Sequence, residues 1–193
     1  MFGAFVRGLL FSGIGGSAVS SLADENYALK DEIIELDVSK KGLENSLNLN
    51  DFVKLRVLKC GNNKLTGLNV SGLVKLEVIE CSNNLLTSES LRLSGLSRLE
   101  TFLGKHNLFE NLDFFKSPEN LRHLDLTDNN FHKRETTLEK ESVGLDIFSN
   151  FVNLESLKIG NYSRETKNGK YNRFCGSLEH LSELKNLKKL DIN

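Results

Sequence analysis

The chain has no tryptophan, one methionine, one proline and three cysteines among 193 residues. A single proline and the lack of any low-complexity tract exclude proline-rich and linker-like classes. An odd cysteine count excludes a fully paired disulfide framework, and the cysteine usage leans towards a cytoplasmic chain. No excess of either charge is present: 25 Lys and Arg face 26 Asp and Glu, for a net −1 at pH 7. That balance argues against a nucleic-acid binder, which shows a strongly basic chain or patch. The four histidines, His106, His123, His132 and His180, have no partner at metal-ligand spacing. Gly-x-Ser-x-Gly and kinase-type loops are missing too. No catalytic set, cofactor or metal is therefore expected, and the chain reads as non-enzymatic.

What is present is a repeat. An apolar residue, two others, an apolar residue, one other, an apolar residue, then two more and Asn recur along the chain. The clearest copies are Leu55-x-x-Leu58-x-Cys60-x-x-Asn63-x-Leu65, Leu76-x-x-Ile79-x-Cys81-x-x-Asn84-x-Leu86 and Leu121-x-x-Leu124-x-Leu126-x-x-Asn129-x-Phe131. Leu99-x-x-Phe102-x-Gly104-x-x-Asn107-x-Phe109 is a fourth, and weaker copies start at Ile33, Leu154 and Leu187. Successive starts lie 22, 21, 23, 22, 33 and 33 residues apart. A period of this size implies a solenoid whose function lies on an extended surface. In each unit a short strand should run from the first apolar residue to the third, with apolar positions in the core and the residues between them on the concave face. Asn63, Asn84, Asn107 and Asn129 then sit where the chain leaves the strand. Their amides can donate and accept, so they should form a structural ladder serving successive turns. Lys41 and Tyr162 occupy this position in repeats one and six, so the ladder is expected to fail at both ends. A further column, Phe52, Leu73, Leu96, Pro118, Phe151 and Leu184, should form the back wall of the core.

These motifs identify the stretch from about Ile33 onwards as similar to leucine-rich-repeat proteins. The run Cys60 to Thr66 and the stretch Gly176 to Ile192 resemble expanded fungal families of that type. The resemblance implies an α/β repeat solenoid, a horseshoe arc of about six to seven repeats with a parallel sheet on its concave face. It also implies a non-catalytic protein-interaction scaffold.

Residues 1–23 differ in kind. Arg7 is followed by the Gly- and Ser-rich run Gly8 to Val19 and by Ser21-Leu22-Ala23. This outlines a signal peptide, but the run is only weakly apolar. A disordered leader, a membrane-touching segment or a mis-assigned start fits as well. The run is too short to span a bilayer, which takes about 20 apolar residues. The repeat domain then covers residues 24–193. A short helix capped by Asp24 and running to Ile34 should cover the edge of the first strand. If the chain is secreted instead, the sequons at Asn69 and Asn161 become relevant.

Two surfaces are candidates for a protein partner, the alternatives being a self-paired, solvated face for the first and tolerated surface loops for the second. On the concave face, Leu103 interrupts a column of alternating charge, Asp37, Lys59, Glu80, then Asp125, Lys158, Asp191; its rim is Lys105, His106, His123 and Asp125. The second surface is a pair of insertions after Phe131 and Tyr162. The latter is basic, with Arg164, Lys167 and Lys170 beside Tyr171. Loops on a rigid scaffold often carry binding function, and insertions at equivalent points should emerge side by side. Cys60 and Cys81 should be buried free thiols; a disulfide between neighbouring rungs is the other reading, since adjacent strands lie about 4.8 Å apart. The seventh repeat, Leu187-x-x-Leu190-x-Ile192-Asn193, is incomplete. It implies either a fragment of a longer array, such as the targeting part of an enzyme, or an end that pairs with a partner, so that the chain is a monomer or associates through its uncapped edge.

Overall fold

The computed structural model describes residues 30–116, 119–132, 142–162 and 171–193. In chain order the strands are β1 (Glu35–Asp37), β2 (Glu44–Asn48), β3 (Val57–Lys59), β4 (Lys64–Asn69), β5 (Val78–Glu80), β6 (Leu91–Arg92), β7 (Thr101–Leu103), β8 (His123–Asp125), β9 (Val143–Gly144), β10 (Ser156–Lys158), β11 (Phe174–Cys175) and β12 (Lys189–Asp191). One strand from each of the seven repeats joins a parallel sheet in the order β1-β3-β5-β7-β8-β10-β12. The register is unbroken, with Leu36, Leu58, Ile79, Phe102, Leu124, Leu157 and Leu190 side by side. Beyond each strand the next N–H also donates to the following repeat, as in Cys60 N–H to the Glu80 carbonyl at 2.8 Å and Cys81 N–H to Leu103 at 2.9 Å.

The strands are three residues long rather than the six expected, and each is centred on the second apolar position. In repeats one to six the residues at the first and third apolar positions are buried too, but they lie where the chain bends into and out of the sheet; in repeat seven Leu187 is half-buried and Ile192 exposed. The back of the solenoid carries two smaller parallel sheets, β2-β4-β6 and β9-β11, and short 3-10 helices at Ser88–Ser90, Leu145–Phe148 and Leu178–Leu181. The capping helix expected over Asp24 to Ile34 falls largely outside the described residues. Within them only Lys30 is helical, Asp31 and Glu32 turn, and Ile33 enters the core from that turn.

The core is one stack of apolar columns from Ile33 to Leu184. Phe52, Leu73, Leu96, Phe151 and Leu184 are all buried along its back wall; Pro118 lies outside the described residues. Its aliphatic character changes at the fourth repeat. Phe102, Phe109, Phe114, Phe115, Phe151, Phe148, Phe174 and Phe131 form a continuous chain of ring contacts, with centroids 4.7–6.0 Å apart. Gly104 is the counterpart of this bulk. A Cβ there would sit 2.6 Å from the Phe102 ring and 2.8 Å from the Phe109 ring, so glycine at the third apolar position makes room for phenylalanine at the second. Cys60 and Cys81 are free and fully buried, whereas Cys175 is free and exposed. Burial pushes both inner thiols well above the ordinary cysteine range, so they pack as small apolar groups.

Candidate protein-binding face

The asparagines set the pitch of the face. Asn84 Nδ2 donates to the carbonyl of Cys81 in its own repeat at 3.0 Å and to that of Cys60 in the preceding repeat at 3.1 Å; its Oδ1 accepts from Leu65 N–H at 2.9 Å. Asn63, Asn107 and Asn129 repeat this pattern one rung at a time. The residue before each of these four is left-handed, with φ of 57° at Asn62 and Asn83 and 53° at His106 and Asp128. Asn, Asp and His are the side chains most often found in that conformation, and all four positions carry one of them.

The ladder does not stop at repeat six. Asn172, not Tyr162, takes the ladder position: Nδ2 donates to Leu126 and Ile159 carbonyls at 2.9 and 3.0 Å, and Oδ1 accepts from Phe131 N–H at 3.3 Å. The two insertions therefore do not start at equivalent points. The first follows the Asn-x-Phe segment; the second is inserted before it. Asn161 and Asn172 clamp the second at its base, Asn161 Nδ2 donating to the Asn172 carbonyl at 3.0 Å and Asn172 N–H to Asn161 Oδ1 at 2.8 Å. The amide nitrogen that a glycan would occupy at the Asn161 sequon is thus engaged in holding the loop. Arg164, Lys167 and Lys170 lie outside the described residues. Tyr171 does not join the concave cluster: the Arg173 guanidinium stacks on its ring at 4.4 Å, and it lines a cleft of about 470 Å³ with Ile159, Phe174, Leu178 and Ile192.

On the solvent face of the large sheet, charges fall into two groups. Those just after each repeat start neutralise one another. Arg56 forks onto Glu77 with two bonds of 2.9 Å, and Glu155 accepts from Arg122 at 2.8 Å and Lys188 at 2.7 Å. These bonds, Lys188 foremost, hold the Glu155 carboxyl below the usual range. Asp125, expected as part of the partner rim, is likewise taken up by Lys158 at 3.2 Å. In contrast Glu35, Asp37, Lys59 and Glu80 make no ion pair among the described residues. Asp37 accepts from Ser39 N–H at 3.0 Å, which lowers its pKa and keeps it ionised.

Leu103 is half-buried beside Asp125 in register, and His123 is exposed beside Thr101. Lys105 and His106 both approach Asp128, at 3.9 and 3.3 Å. Lys105 also lies over the Tyr162 ring at 5.6 Å, while Tyr162 N–H donates to Asp128 at 2.7 Å and its hydroxyl donates to Asp191. Tyr162 and Asp128 are thus members of the rim that sequence reasoning missed. So, apart from His123, is the column that opens each strand, Glu35, Val57, Val78, Thr101, His123, Ser156 and Lys189. Its Val57, Val78 and Thr101 are half-buried and continue the apolar spot of Leu103 across three repeats. The signal was available, since two valines recur at one offset of the repeat. Among the described residues no group of His, Cys, Asp and Glu could hold a metal ion, and no helix is long and apolar enough to cross a membrane.

No protein-family profile and no curated protein matches the chain. Solved structures do. The LRR ectodomain of the plant membrane receptor kinase GASSHO1/SCHENGEN3 from Arabidopsis thaliana, in complex with CASPARIAN STRIP INTEGRITY FACTOR 2, superposes with a TM-score of 0.54 at 18% identity over 84% of this chain and 21% of that one. The functional domain of InlJ from Listeria monocytogenes, which includes a cysteine ladder, gives 0.53 at 18% identity over 84% and 40%. A TDR receptor gives 0.52 at 20% identity over 84% and 30%. This chain thus spans less than half the length of each. One of them being an ectodomain, the fold does not carry the cytoplasmic placement expected from the cysteines, and a fungal origin is not shown. Seven in-register rungs, the buried asparagines and these neighbours together establish that the chain folds as a leucine-rich-repeat solenoid.

Proposed function

We propose that the chain is a non-catalytic scaffold that binds a protein partner on its concave face. The observation that carries this reading is the half-exposed strip Val57, Val78, Thr101 and Leu103 on a sheet whose backbone is fixed by an unbroken ladder. Rigid apolar surface rimmed by polar groups is the usual anatomy of an interface. Lys105, His106 and His123 form the rim towards repeat five. Asp125 takes a secondary part because Lys158 already holds it. The basic insertion with Arg164, Lys167 and Lys170 lies beyond Tyr162 in sequence and extends the reading as a second contact. The Arabidopsis neighbour was solved with a bound factor, which supports a partner of protein or peptide class.

The test is selection of a displayed random-peptide library on the immobilised folded chain. Enriched peptides should lose binding to Leu103→Glu while the substituted protein keeps its melting temperature. Peptides that bind Leu103→Glu as well as the parent would refute the concave face as the site.

A further inference from the structure

We infer that the partner presents an extended segment of the pattern basic–x–aliphatic–x–aliphatic, laid across the rungs from repeat one to repeat four. This rests on the concave-face reading and adds the chemistry of the partner. The argument begins from which groups on that face are still available. Repeats five to seven are self-engaged: Asp125 holds Lys158, Glu155 holds Arg122 and Lys188, and Tyr162 bonds Asp191 and Asp128. In repeats one to three only Arg56 and Glu77 pair on this face. Glu35, Asp37 and Glu80 set three carboxylates against the ammonium groups of Lys59 and Lys41, and none of the three carboxylates makes an ion pair among the described residues. The N-terminal end of the face therefore favours a cation.

Next to that acidic end lies the apolar strip, Val57 and Val78 on β3 and β5, then Thr101 and Leu103 on β7. The pair Glu77–Arg56 neutralises its flank. Gly61 makes room for the Glu80 carboxylate, which Ser82 N–H holds at 3.1 Å and which fills the space over the glycine.

Spacing then fixes the pattern. Parallel strands lie ~4.8 Å apart, so three rungs from β1 to β7 span about 14 Å, the reach of four extended residues. The middle of the valine pair lies about 7 Å from β1, which is one step of two residues in an extended chain. A cation over Glu35 and Asp37 thus puts the side chain two residues on over Val57 and Val78. The one four residues on falls over Leu103.

The experiment uses the full chain and fluorescein-labelled peptides Lys-Ser-Leu-Ser-Leu and Glu-Ser-Leu-Ser-Leu, each also in reversed order, read by fluorescence anisotropy at low salt. One lysine peptide should bind more tightly than its glutamate counterpart by roughly three- to fivefold, the range of an exposed ion pair. Asp37→Lys should invert that preference, and Val78→Glu should weaken both by more than about tenfold, as loss of a central apolar contact does. A preference that Asp37→Lys leaves unchanged overturns the inference. Selected peptides that need Leu103 but ignore Asp37 and Val78 sink this pattern and leave the concave-face reading standing; peptides that ignore all three sink both. The leader itself contains Arg7-x-Leu9-x-Phe11. If Arg7→Glu in the full chain raises affinity for the lysine peptide tenfold or more, the occupant is the chain's own leader and the partner assignment falls.

Discussion

Removing one amide from the ladder gives the sharpest test of what holds the solenoid together. In Asn84→Ala the Leu65 N–H loses its 2.9 Å acceptor inside the core. A stranded buried donor costs about 1–3 kcal/mol. The two carbonyls fare better, because each serves two asparagines. Cys60 keeps its bond from Asn63 at 2.8 Å, and Cys81 keeps its bond from Asn107 at 3.0 Å. Their loss is about 0.5 kcal/mol each. The sum is about 2–4 kcal/mol, or a fall in melting temperature of roughly 4–16 °C for a chain of this size. Urea unfolding followed by far-ultraviolet circular dichroism reads it directly. Asn62→Gly is the control: Asn62 is exposed and left-handed at φ 57°, where glycine is at ease, so stability should hold or rise slightly. A loss below about 1 kcal/mol in Asn84→Ala would refute the ladder account.

The remaining expectations are quickly stated. Asn172→Ala should cost as much as Asn84→Ala, since it strands Phe131 N–H in the same way; a neutral result would remove Asn172 from the ladder. Gly104→Ala should destabilise by about 1–3 kcal/mol through overpacking against Phe102 and Phe109, measured in the same urea series. Ellman's reagent should titrate one thiol per native chain, Cys175, and all three after unfolding; fast reaction at Cys60 or Cys81 would contradict their burial. Arg56→Ala should change stability by less than about 1 kcal/mol, because its pair with Glu77 is solvent-exposed.

The repeat made the fold legible because it is written in residues that have one job. Leu, Ile and Phe at matched offsets can only be core, and Asn at a fixed distance from them can only be a turn that needs an amide. The concave face was legible in part. Counting charges along a column predicts pairing from proximity alone, yet Asp125–Lys158 forms while Asp37, Lys59 and Glu80 stay apart. Pairing depends on where long side chains lean: Asp37 and Glu80 are each drawn to a backbone N–H two residues on. The valine column was overlooked because an apolar residue beside a strand's core positions reads as more core. The ladder position of repeat six was misplaced because the motif was counted forward from Ile159. Counting back from Phe174 finds Asn172, two residues before a phenylalanine, as Asn107 and Asn129 are. The aromatic chain from Phe102 to Phe131 was hidden by Phe114 and Phe115, which belong to no column of the motif.

The clamp between Asn161 and Asn172 separates two things that repeat proteins usually tie together, the length of a unit and its register. The chain leaves at one asparagine and is handed back to the ladder by another, and Tyr162, just past the clamp, ties the exit to Asp128 and Asp191 of the neighbouring rungs. Closing a longer excursion costs only about 0.6 kcal/mol for each doubling of its length. The sixth repeat is, in that sense, a socket: foreign segments grafted between Tyr162 and Tyr171 should be carried by a frame that need not change to accept them.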